Sequence, residues 1–418
     1  MAKPELTEWD EDLTASAAED YEALVRSLQW AKGFGLLFVQ CAPAEGERLM
    51  QRVQADIADK TVDVLRLEGE VDDLYDTVAA LPEIAKTNVL FVTGLEKSLV
   101  PYIKPGYGSE GDYYAKDTVP KLLGKLNLQR EKFRDTFNTC FVFLVPLYAM
   151  KYLIRRAADF FDWRSGVWEF VGSPDEVRQK TEQVLQGDYG EYLSWTPQQR
   201  RERLLETEDL LAEGGHSPET KFELYFEAGN LAAADQQFKW AIASYDAALA
   251  IKPDKHEALY NKGIALDELG RYEEAIACYD AALAIKPDDH QALYNKGYAL
   301  FNLGRYEEAI ASYDAALAIK PDKHEALYNR GIALYYLGRY EEAIASYDAA
   351  LAIKPDYHEA LNNKGYALFN LGRYEEAIAC YDAALAIKPD KHAALNSKGV
   401  ALGNLGRYEE AIASYDAA

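Results

Sequence analysis

Aromatic and amide side chains recur in the second half of the chain where they can form one continuous surface. The chain repeats a segment there, and four positions of the repeat vary more than most others; in one copy these are Tyr260, Ile264, Asp267 and Glu268. Their spacing puts them on one stripe of a helix. A solvent-exposed face that changes without a functional constraint should contain mainly Lys, Glu and Ser. The variable positions here contain Tyr, Phe, Ile and Asn instead. Large contact area, few rotatable bonds and a polar tip suit such residues to an interface.

We call these positions, together with an asparagine that recurs beside the first of them, the variable stripe. We predict that it binds a protein. Its residues are Tyr260, Asn261, Ile264, Asp267 and Glu268; Tyr294, Asn295, Tyr298, Phe301 and Asn302; Tyr328, Asn329, Ile332, Tyr335 and Tyr336; Asn362, Asn363, Tyr366, Phe369 and Asn370; and Asn396, Val400 and Asn404.

A repeat of constant length must position this stripe. Its clearest mark is an Ala-Ile-Lys-Pro-Asp phrase whose prolines are Pro253, Pro287, Pro321, Pro355 and Pro389. Successive prolines are 34 residues apart. Self-similarity at this period predicts a solenoid of stacked units. Each unit has two helical segments, such as 256–269 and 272–285, separated by a glycine that ends the first helix. Asp254 with Glu257 predicts a capping box at the start of the first helix, and the pattern recurs at Asp288 with Gln291, Asp322 with Glu325 and Asp356 with Glu359.

These units match the tetratricopeptide repeat family. The family's signature positions are occupied by Leu259, Gly263, Leu266, Ala275, Tyr279, Ala282 and Pro287. The match covers 221–418, as five repeats and a truncated sixth. The resemblance implies an all-α, right-handed superhelix whose concave groove, lined by the first helices, binds peptides or helices of partner proteins. It places the variable stripe in that groove and implies that the recurring asparagines bond the backbone of the ligand.

One subclass of the family does not fit. Adaptors for chaperone tails clamp a terminal carboxylate with basic residues, but Glu257, Gln291, Glu325 and Glu359 stand where Lys would be needed. We therefore do not expect a chaperone-tail adaptor.

The first half of the chain alternates apolar runs with helical patterns. Strands are predicted at 35–41, 62–67, 88–92, 140–145 and 167–170, with helices between them, including 46–59 and 147–160. This alternation predicts a doubly wound α/β domain over 21–187. An acidic arm at 1–20 precedes it, a long surface loop at 101–114 interrupts it, and a helical connector at 188–220 follows it.

The first strand-turn-helix unit carries an incomplete phosphate site. A phosphate-binding loop of the form Gly-x-x-x-x-Gly-Lys-Ser/Thr needs its Lys for the outer phosphates and its hydroxyl for magnesium. Aligned on Gly46, this chain has Glu47 at the Lys position and Arg48 at the hydroxyl position, and Glu96 follows the third strand. Replacing Lys by Glu turns attraction into repulsion, each on the order of kcal/mol. We expect a P-loop-like scaffold without turnover and without a cofactor.

Two later segments, 126–131 and 158–166, resemble parts of bacterial signal-transducing NTPases of the STAND type. In that family such domains are fused to superhelical repeats and act as ligand-gated switches. The resemblance covers roughly residues 20–172 and implies an ATP site, although the Lys and Ser/Thr that would carry it are absent. An alternative hypothesis keeps nucleotide binding through Arg48, Arg130 or Arg164.

The composition of the chain restricts the classes of molecule that it is expected to bind. The net charge of −24, from 69 acidic and 45 basic residues, argues against nucleic acid or an anionic membrane as the main partner. The most apolar stretch, 140–149, is about half the length of a membrane span. No secretory signal is visible, and the four cysteines do not form a disulfide framework, so we expect a protein of the reducing cytoplasm. The repeated histidines, one per unit, are too far apart to share a metal ion.

Together these patterns predict a non-enzymatic protein-recognition module, a sensor or adaptor in a bacterial signalling or defence system. The alternatives are a nucleotide-gated switch or NTPase, and a structural assembly scaffold. The last unit lacks the Ala-Ile-Lys-Pro-Asp phrase and a polar capping helix. Either the natural protein continues beyond Ala418, or this end packs on another copy, which would give self-association.

Overall fold

Short apolar runs of Val, Leu and Phe form the sheet of the N-terminal region. The computed structural model describes residues 17–41, 43–103, 120–170, 174–213, 216–390 and 392–418. The strands are β1 Gly35–Cys41, β2 Val62–Arg66, β3 Val89–Thr93, β4 Cys140–Val145 and β5 Gly166–Phe170. Their order in the sheet is β2-β3-β4-β1-β5, and each neighbouring pair is parallel. An α/β architecture is therefore confirmed for this region.

Helices precede the first strand, connect the strands and follow the last one. They are α1 Ala17–Trp30, α2 Pro43–Asp56, α3 Leu74–Ala79, α4 Lys121–Thr136, α5 Leu147–Arg156, α6 Ala158–Phe161, α7 Pro174–Leu185, α8 Tyr189–Ser194, α9 Pro197–Glu213, α10 Pro218–Ala234 and α11 Phe238–Ile251. The sequence predicted one helix over 147–160, but Ala157 leaves the helical conformation and separates α5 from α6. Helix α8 was not predicted; Asp188 begins it by accepting a hydrogen bond from the Glu191 amide (3.3 Å).

Two predicted segments fall mostly on residues that the structure does not describe. Of the acidic arm at 1–20, only 17–20 are described, and they belong to α1. Of the loop at 101–114, only 101–103 are described.

The pleat of β1 explains how helices cover both faces of the sheet, because successive side chains point in opposite directions. Leu37 and Val39 face a cluster that includes Leu24 of α1 and Val53 of α2. Phe38 points the other way and stacks on Phe143 of β4, with ring centres 5.1 Å apart. Further aromatic rings from α4 and α6 extend this second layer.

The structure divides into two units, Met1–Ser244 and Tyr245–Ala418, and the division falls within α11. The second unit contains the repeats as helix pairs. These are α12 His256–Glu268 with α13 Tyr272–Ile285, α14 His290–Asn302 with α15 Tyr306–Ile319, α16 His324–Tyr336 with α17 Tyr340–Ile353, α18 His358–Asn370 with α19 Tyr374–Ile387, and α20 His392–Asn404 with α21 Tyr408–Asp416. The predicted alternation of two helices per unit is confirmed. The finer domain boundaries at 187/188 and 220/221 stay predictions.

A glycine and a tyrosine hold each helix pair together. A Cβ atom on Gly263 would lie 2.5 Å from Cε1 of Tyr279, so only glycine lets the ring pack against the first helix. The same arrangement recurs in the next unit with Gly297 and Tyr313. Between the helices, Gly270 has a φ of +71°, which lies in the left-handed region that favours glycine.

The predicted capping boxes do not form as expected. The N-cap lies one residue after the predicted aspartate, at Lys255, Lys323 and Tyr357, and no side-chain cap hydrogen bond forms there. In α14 that position is Asp289, whose carboxylate accepts from the Gln291 amide (2.9 Å) and the Ala292 amide (3.2 Å). The predicted cap was one residue early because the turn after the proline is longer than the capping pattern assumes.

Among the helices of the described residues, none combines the length and the apolarity required to cross a bilayer.

Candidate functional site

Hydrogen bonds between consecutive first helices organise the variable stripe. The side-chain amide of Asn295 donates to the Tyr260 hydroxyl (3.1 Å), and Asn329 donates to Tyr294 (2.9 Å). Asn363 donates to Tyr328 in the same way (3.0 Å). We call these bonds the tyrosine-asparagine ladder. The recurring asparagines, which the family resemblance assigns to the ligand, therefore use one amide N–H to join neighbouring repeats.

Two further bonds extend this pattern. Asn370 donates to the hydroxyl of Tyr335 (3.1 Å), which also lies one repeat earlier in the chain. At the last unit, Ser397 takes the place of the asparagine and its hydroxyl donates to Tyr366 (3.1 Å). The ladder thus fixes the rings at the base of the stripe and leaves other members to project from it.

The stripe residues divide by exposure. Eight are exposed: Glu268, Tyr298, Asn302, Tyr336, Asn370, Asn396, Val400 and Asn404. Fourteen are half-buried: Tyr260, Asn261, Ile264, Asp267, Tyr294, Asn295, Phe301, Tyr328, Asn329, Ile332, Tyr335, Asn363, Tyr366 and Phe369. One, Asn362, is buried. The exposed set contains two large aromatic rings, Tyr298 at 45% and Tyr336 at 60% of full exposure.

Tyr336 lies in an aromatic cluster that crosses a repeat boundary. Its ring stacks on Tyr306, with ring centres 5.2 Å apart, and meets Phe301 edge-on at 5.6 Å. Tyr335 contacts it from the same helix at 6.0 Å. The cluster holds an exposed ring in a defined place, which is the arrangement expected of an interface anchor.

Beneath the stripe, the second helices of four units each bury a tyrosine, and its hydroxyl has different surroundings in different units; the four are Tyr279, Tyr313, Tyr347 and Tyr381. Tyr279 donates to Asp267 (2.6 Å). Burial raises the pKa of Asp267 to about 6, although the bond from Tyr279 opposes the rise. Phe301 occupies the equivalent of Asp267 in the next unit, and there the hydroxyl of Tyr313 is buried without a hydrogen-bond partner among the described residues. The repeats thus differ in the hydrogen bonding of the buried tyrosine beneath the variable stripe.

Carboxylates accompany the stripe at the start of the first helices. Asp289 lies 2.8 Å from Nε2 of His256, and Glu359 lies 3.2 Å from Nε2 of His358. Burial, with the nearby charge of Glu325, raises the pKa of Tyr294. A cation is also present, since the Lys323 ammonium lies 4.1 Å from the centre of the Tyr294 ring. These groups lay outside the predicted site, although the position of the glutamates three residues before a stripe residue could have revealed them.

The basic residues that recur on the first helices form ion pairs with neighbouring repeats and not with the stripe. Lys262 pairs with Asp246 (2.5 Å), Lys296 with Asp280 (2.5 Å), and Arg330 with Asp314 (2.5 Å), always on the second helix of the preceding unit. The row continues at Lys364 and Lys398. These cations serve contacts between repeats, so they do not balance the carboxylates of the stripe.

The N-terminal unit has a cleft of about 590 Å³ at the carboxyl ends of its strands. Parallel α/β sheets place ligand sites at this edge. The lining residues are Cys41, Gly46, Glu47, Arg66, Leu67, Glu68, Thr93, Gly94, Glu96, Lys97, Leu144, Pro146, Tyr148, Glu202 and Glu206. Glutamates outnumber the basic residues in this set by five to two, so the cleft disfavours phosphate.

Only some residues of the incomplete phosphate site lie together in the structure. Gly46, Glu47 and Glu96 all line the cleft, whereas Arg48 does not and forms an ion pair with Glu45 (3.3 Å). Glu47 pairs with Arg66 across the cleft (2.9 Å). Burial raises the pKa of Glu96. Glu202 and Glu206, one helical turn apart on α9, were not predicted because they lie far along the chain from the strands.

Helix α2 explains why no phosphate cradle is present in the described residues. It begins at Pro43, two residues after β1 ends at Cys41, whereas the sequence placed its start near Gly46. Gly46 therefore lies inside the helix. A Cβ atom there would lie 3.2 Å from Leu144 Cδ1 and 3.3 Å from Cys41 Sγ, so the glycine serves close packing of α2.

The other candidate nucleotide-binding arginines hold local structure. Arg130 donates to the Asn127 carbonyl (3.0 Å) and lies 3.4 Å from Asp159. Arg164 donates to the Phe161 carbonyl (3.4 Å). Neither arginine lines the cleft.

Comparison with known proteins bears on the repeats. The profile of the tetratricopeptide repeat family matches residues 220–290, 268–324, 328–392 and 362–418. No curated protein matches the chain.

Among solved structures, the chain is similar to the MamA protein, with 24% identity, coverage of 41% of this chain and 93% of that one, and a TM-score of 0.40. It is similar to YrrB, described as a TPR protein with an unusual peptide-binding site, with 26% identity, 42% and 90% coverage, and a TM-score of 0.40. A third is MamA from Desulfovibrio magneticus RS-1, with 22% identity, 41% and 97% coverage, and a TM-score of 0.40. The family match and the repeated helix pairs together establish that the C-terminal region of this chain is built from tetratricopeptide repeats.

Proposed function

We propose that this chain is a non-enzymatic protein-recognition module whose variable stripe binds a segment of a partner protein. The observation that carries the proposal is the pair of exposed rings, Tyr298 and Tyr336, on a surface braced by the tyrosine-asparagine ladder. Rigid aromatic anchors surrounded by amides are typical of binding hot spots. Protein recognition is also the usual role of tetratricopeptide repeats.

The setting that we propose is a cytoplasmic sensor or adaptor in a bacterial signalling or defence system. The repeat array would select the partner, and the N-terminal region would supply a scaffold without nucleotide chemistry. The strand order, with β1 between β4 and β5 and helices on both faces, supports a P-loop-like ancestry. The acidic cleft and the short connection from β1 to α2 support the loss of phosphate binding.

Removing the exposed rings tests the binding role. The double variant Tyr298→Ala, Tyr336→Ala should lose most of the partner in a pull-down from the source organism, quantified by mass spectrometry. The control variant Glu273→Ala, Glu341→Ala changes exposed residues of the second helices and should retain it. Circular dichroism verifies that both variants are folded. If the double variant retains the partner, the assignment of the stripe is wrong.

Self-association through the last repeat is a further part of the proposal. Ile412 is 59% exposed, whereas its equivalents Ile344 and Ile378 are 9% and 7% exposed because the next repeat covers them. Tyr408 and Tyr415 are exposed beside it, at 69% and 44%. Light scattering tests this point: the native chain should form dimers at micromolar concentration, and Ile412→Glu should be monomeric. A monomeric native chain would exclude it.

A further inference from the structure

Three glutamates lie along the variable stripe. Glu325 and Glu359 lie three residues before Tyr328 and Asn362, and Glu268 lies two helical turns after Tyr260, so all three share the face of the stripe. Glu268 and Glu325 are exposed, and Glu359 is half-buried. They frame the stripe at both ends of the first helices.

Two of these carboxylates, Glu325 and Glu359, lie in the first turns of α16 and α18, where their charges act on rings of the preceding repeat. Burial raises the pKa of Tyr328, and the charge of Glu359 adds to the rise, as Glu325 does for Tyr294. Both glutamates belong to the repeat after that of the ring they affect. The charge of Glu325 therefore acts on the ladder bond at Tyr294, and the charge of Glu359 acts on the ladder bond at Tyr328.

Within the described part of the array, Lys323 opposes the charge of Glu325, and the imidazoles of His324 (3.4 Å from Glu325) and His358 (3.2 Å from Glu359) oppose it only when they are protonated. Lys262, Lys296 and their equivalents are engaged by aspartates of the second helices. Lys323 lies on the Tyr294 ring, and burial lowers its pKa. This contact also demonstrates that a stripe ring accepts a cation, as electron-rich aromatic faces do. The exposed rings of Tyr298 and Tyr336 offer the same kind of face to a ligand.

We propose that the partner segment bound by the variable stripe is basic, with Lys or Arg side chains placed against Glu268, Glu325 and Glu359 and over the rings of Tyr298 and Tyr336. This inference rests on the proposed function and adds the chemistry of the ligand to it. Acidic segments and free terminal carboxylates are disfavoured, because like charges at an interface oppose binding. The overall charge of −24 would speed the encounter with such a ligand.

Selection from a random library of dodecapeptides displayed on phage tests the inference with the full chain. We expect the enriched peptides to carry a net positive charge. Their synthetic versions are then titrated against two variants with the same change in net charge. The stripe variant is Glu268→Gln, Glu325→Gln, Glu359→Gln, and the control is Glu273→Gln, Glu307→Gln, Glu341→Gln on the second helices.

Binding should weaken about tenfold in the stripe variant, as expected for three partly exposed ion pairs, and less than about twofold in the control. Enrichment of neutral or acidic peptides would overturn the basic-ligand inference and leave the proposed function intact. Equal weakening in both variants would also overturn it, because the net charge alone would then explain binding. If no peptide is enriched, the proposed function fails, and the inference fails with it.

Discussion

Asn329 donates a hydrogen bond of 2.9 Å to the hydroxyl of Tyr294, one repeat earlier in the chain. The same bond recurs at Asn295 and Asn363. In a solenoid, each unit is stabilised mainly by its neighbours. The ladder therefore couples repeats along the face that we propose for binding, so that stability and recognition depend on the same side chains.

The coupling between these two residues can be measured with a double-mutant cycle of Asn329→Ala and Tyr294→Phe. Each single variant should lower the free energy of unfolding by about 1 kcal/mol, because one half-buried hydrogen bond is lost. The double variant should cost about 1 kcal/mol less than the sum of the two, since both remove the same bond. Urea denaturation followed by circular dichroism provides the values. Strict additivity would show that the bond does not form in solution.

Tight packing makes one glycine of each repeat irreplaceable. Gly331→Ala would place a Cβ atom 2.5 Å from Cε1 of Tyr347, and we expect a loss of about 1–3 kcal/mol. The control is Gly403→Ala, where no atom lies within 4 Å of the added Cβ. Because alanine favours helix, the control should be neutral or stabilising by up to about 1 kcal/mol. Thermal unfolding of both variants distinguishes these effects, and equal midpoints would contradict the packing argument.

Asp267 should make the stability of the array depend on pH. Its pKa is raised from 3.8 to about 6, mainly by burial, so the folded state favours the protonated carboxyl. The contribution of protonated Asp267 to the free energy of unfolding is fully present below about pH 4 and is lost as the pH rises through about 6. Asp267→Asn keeps an acceptor for Tyr279 and should flatten the decline in the free energy of unfolding over this range. Asp288→Asn, a change in an exposed turn, should leave the slope unchanged.

The acidic cleft should not bind nucleotide. Isothermal titration of ATP-Mg into the full chain should give no measurable heat of binding up to about 1 mM, a weak limit on the affinity scale. The reasons are the position of Glu47 and the start of α2 immediately after β1. The variant Glu47→Lys should also fail to bind, because the described residues form no backbone cradle for phosphate around this position. A micromolar dissociation constant for the native chain would instead favour a nucleotide-gated switch.

Much of the fold follows from local sequence. The spacing of Gly263 and Tyr279, which recurs in every full unit, predicts helix pairs because their packing is decided within one unit. The alternating apolar runs predict β1 and β4 to the residue, since both are buried on both faces. The α5–α6 break at Ala157 was not predicted, because the apolar pattern continues through it.

The site was less predictable than the fold. The members of the stripe could be identified from their variation, but the pairing of Asn329 with Tyr294 depends on the displacement between neighbouring repeats, which no single repeat encodes. Glu202 and Glu206 enter the cleft from α9, far from β1 in sequence. Side chains brought together by tertiary packing leave no local signal of this kind.

Site-specific photo-crosslinking tests the central claim most directly. A photoreactive phenylalanine analogue replaces Tyr336, which is 60% exposed on the stripe, or Ala345, which is exposed on the second helix of the same repeat. After irradiation in extracts of the source organism, we expect a discrete adduct with one partner protein from position 336 and none from position 345. An adduct from position 345 alone, or equal adducts from both positions, would contradict recognition by the variable stripe.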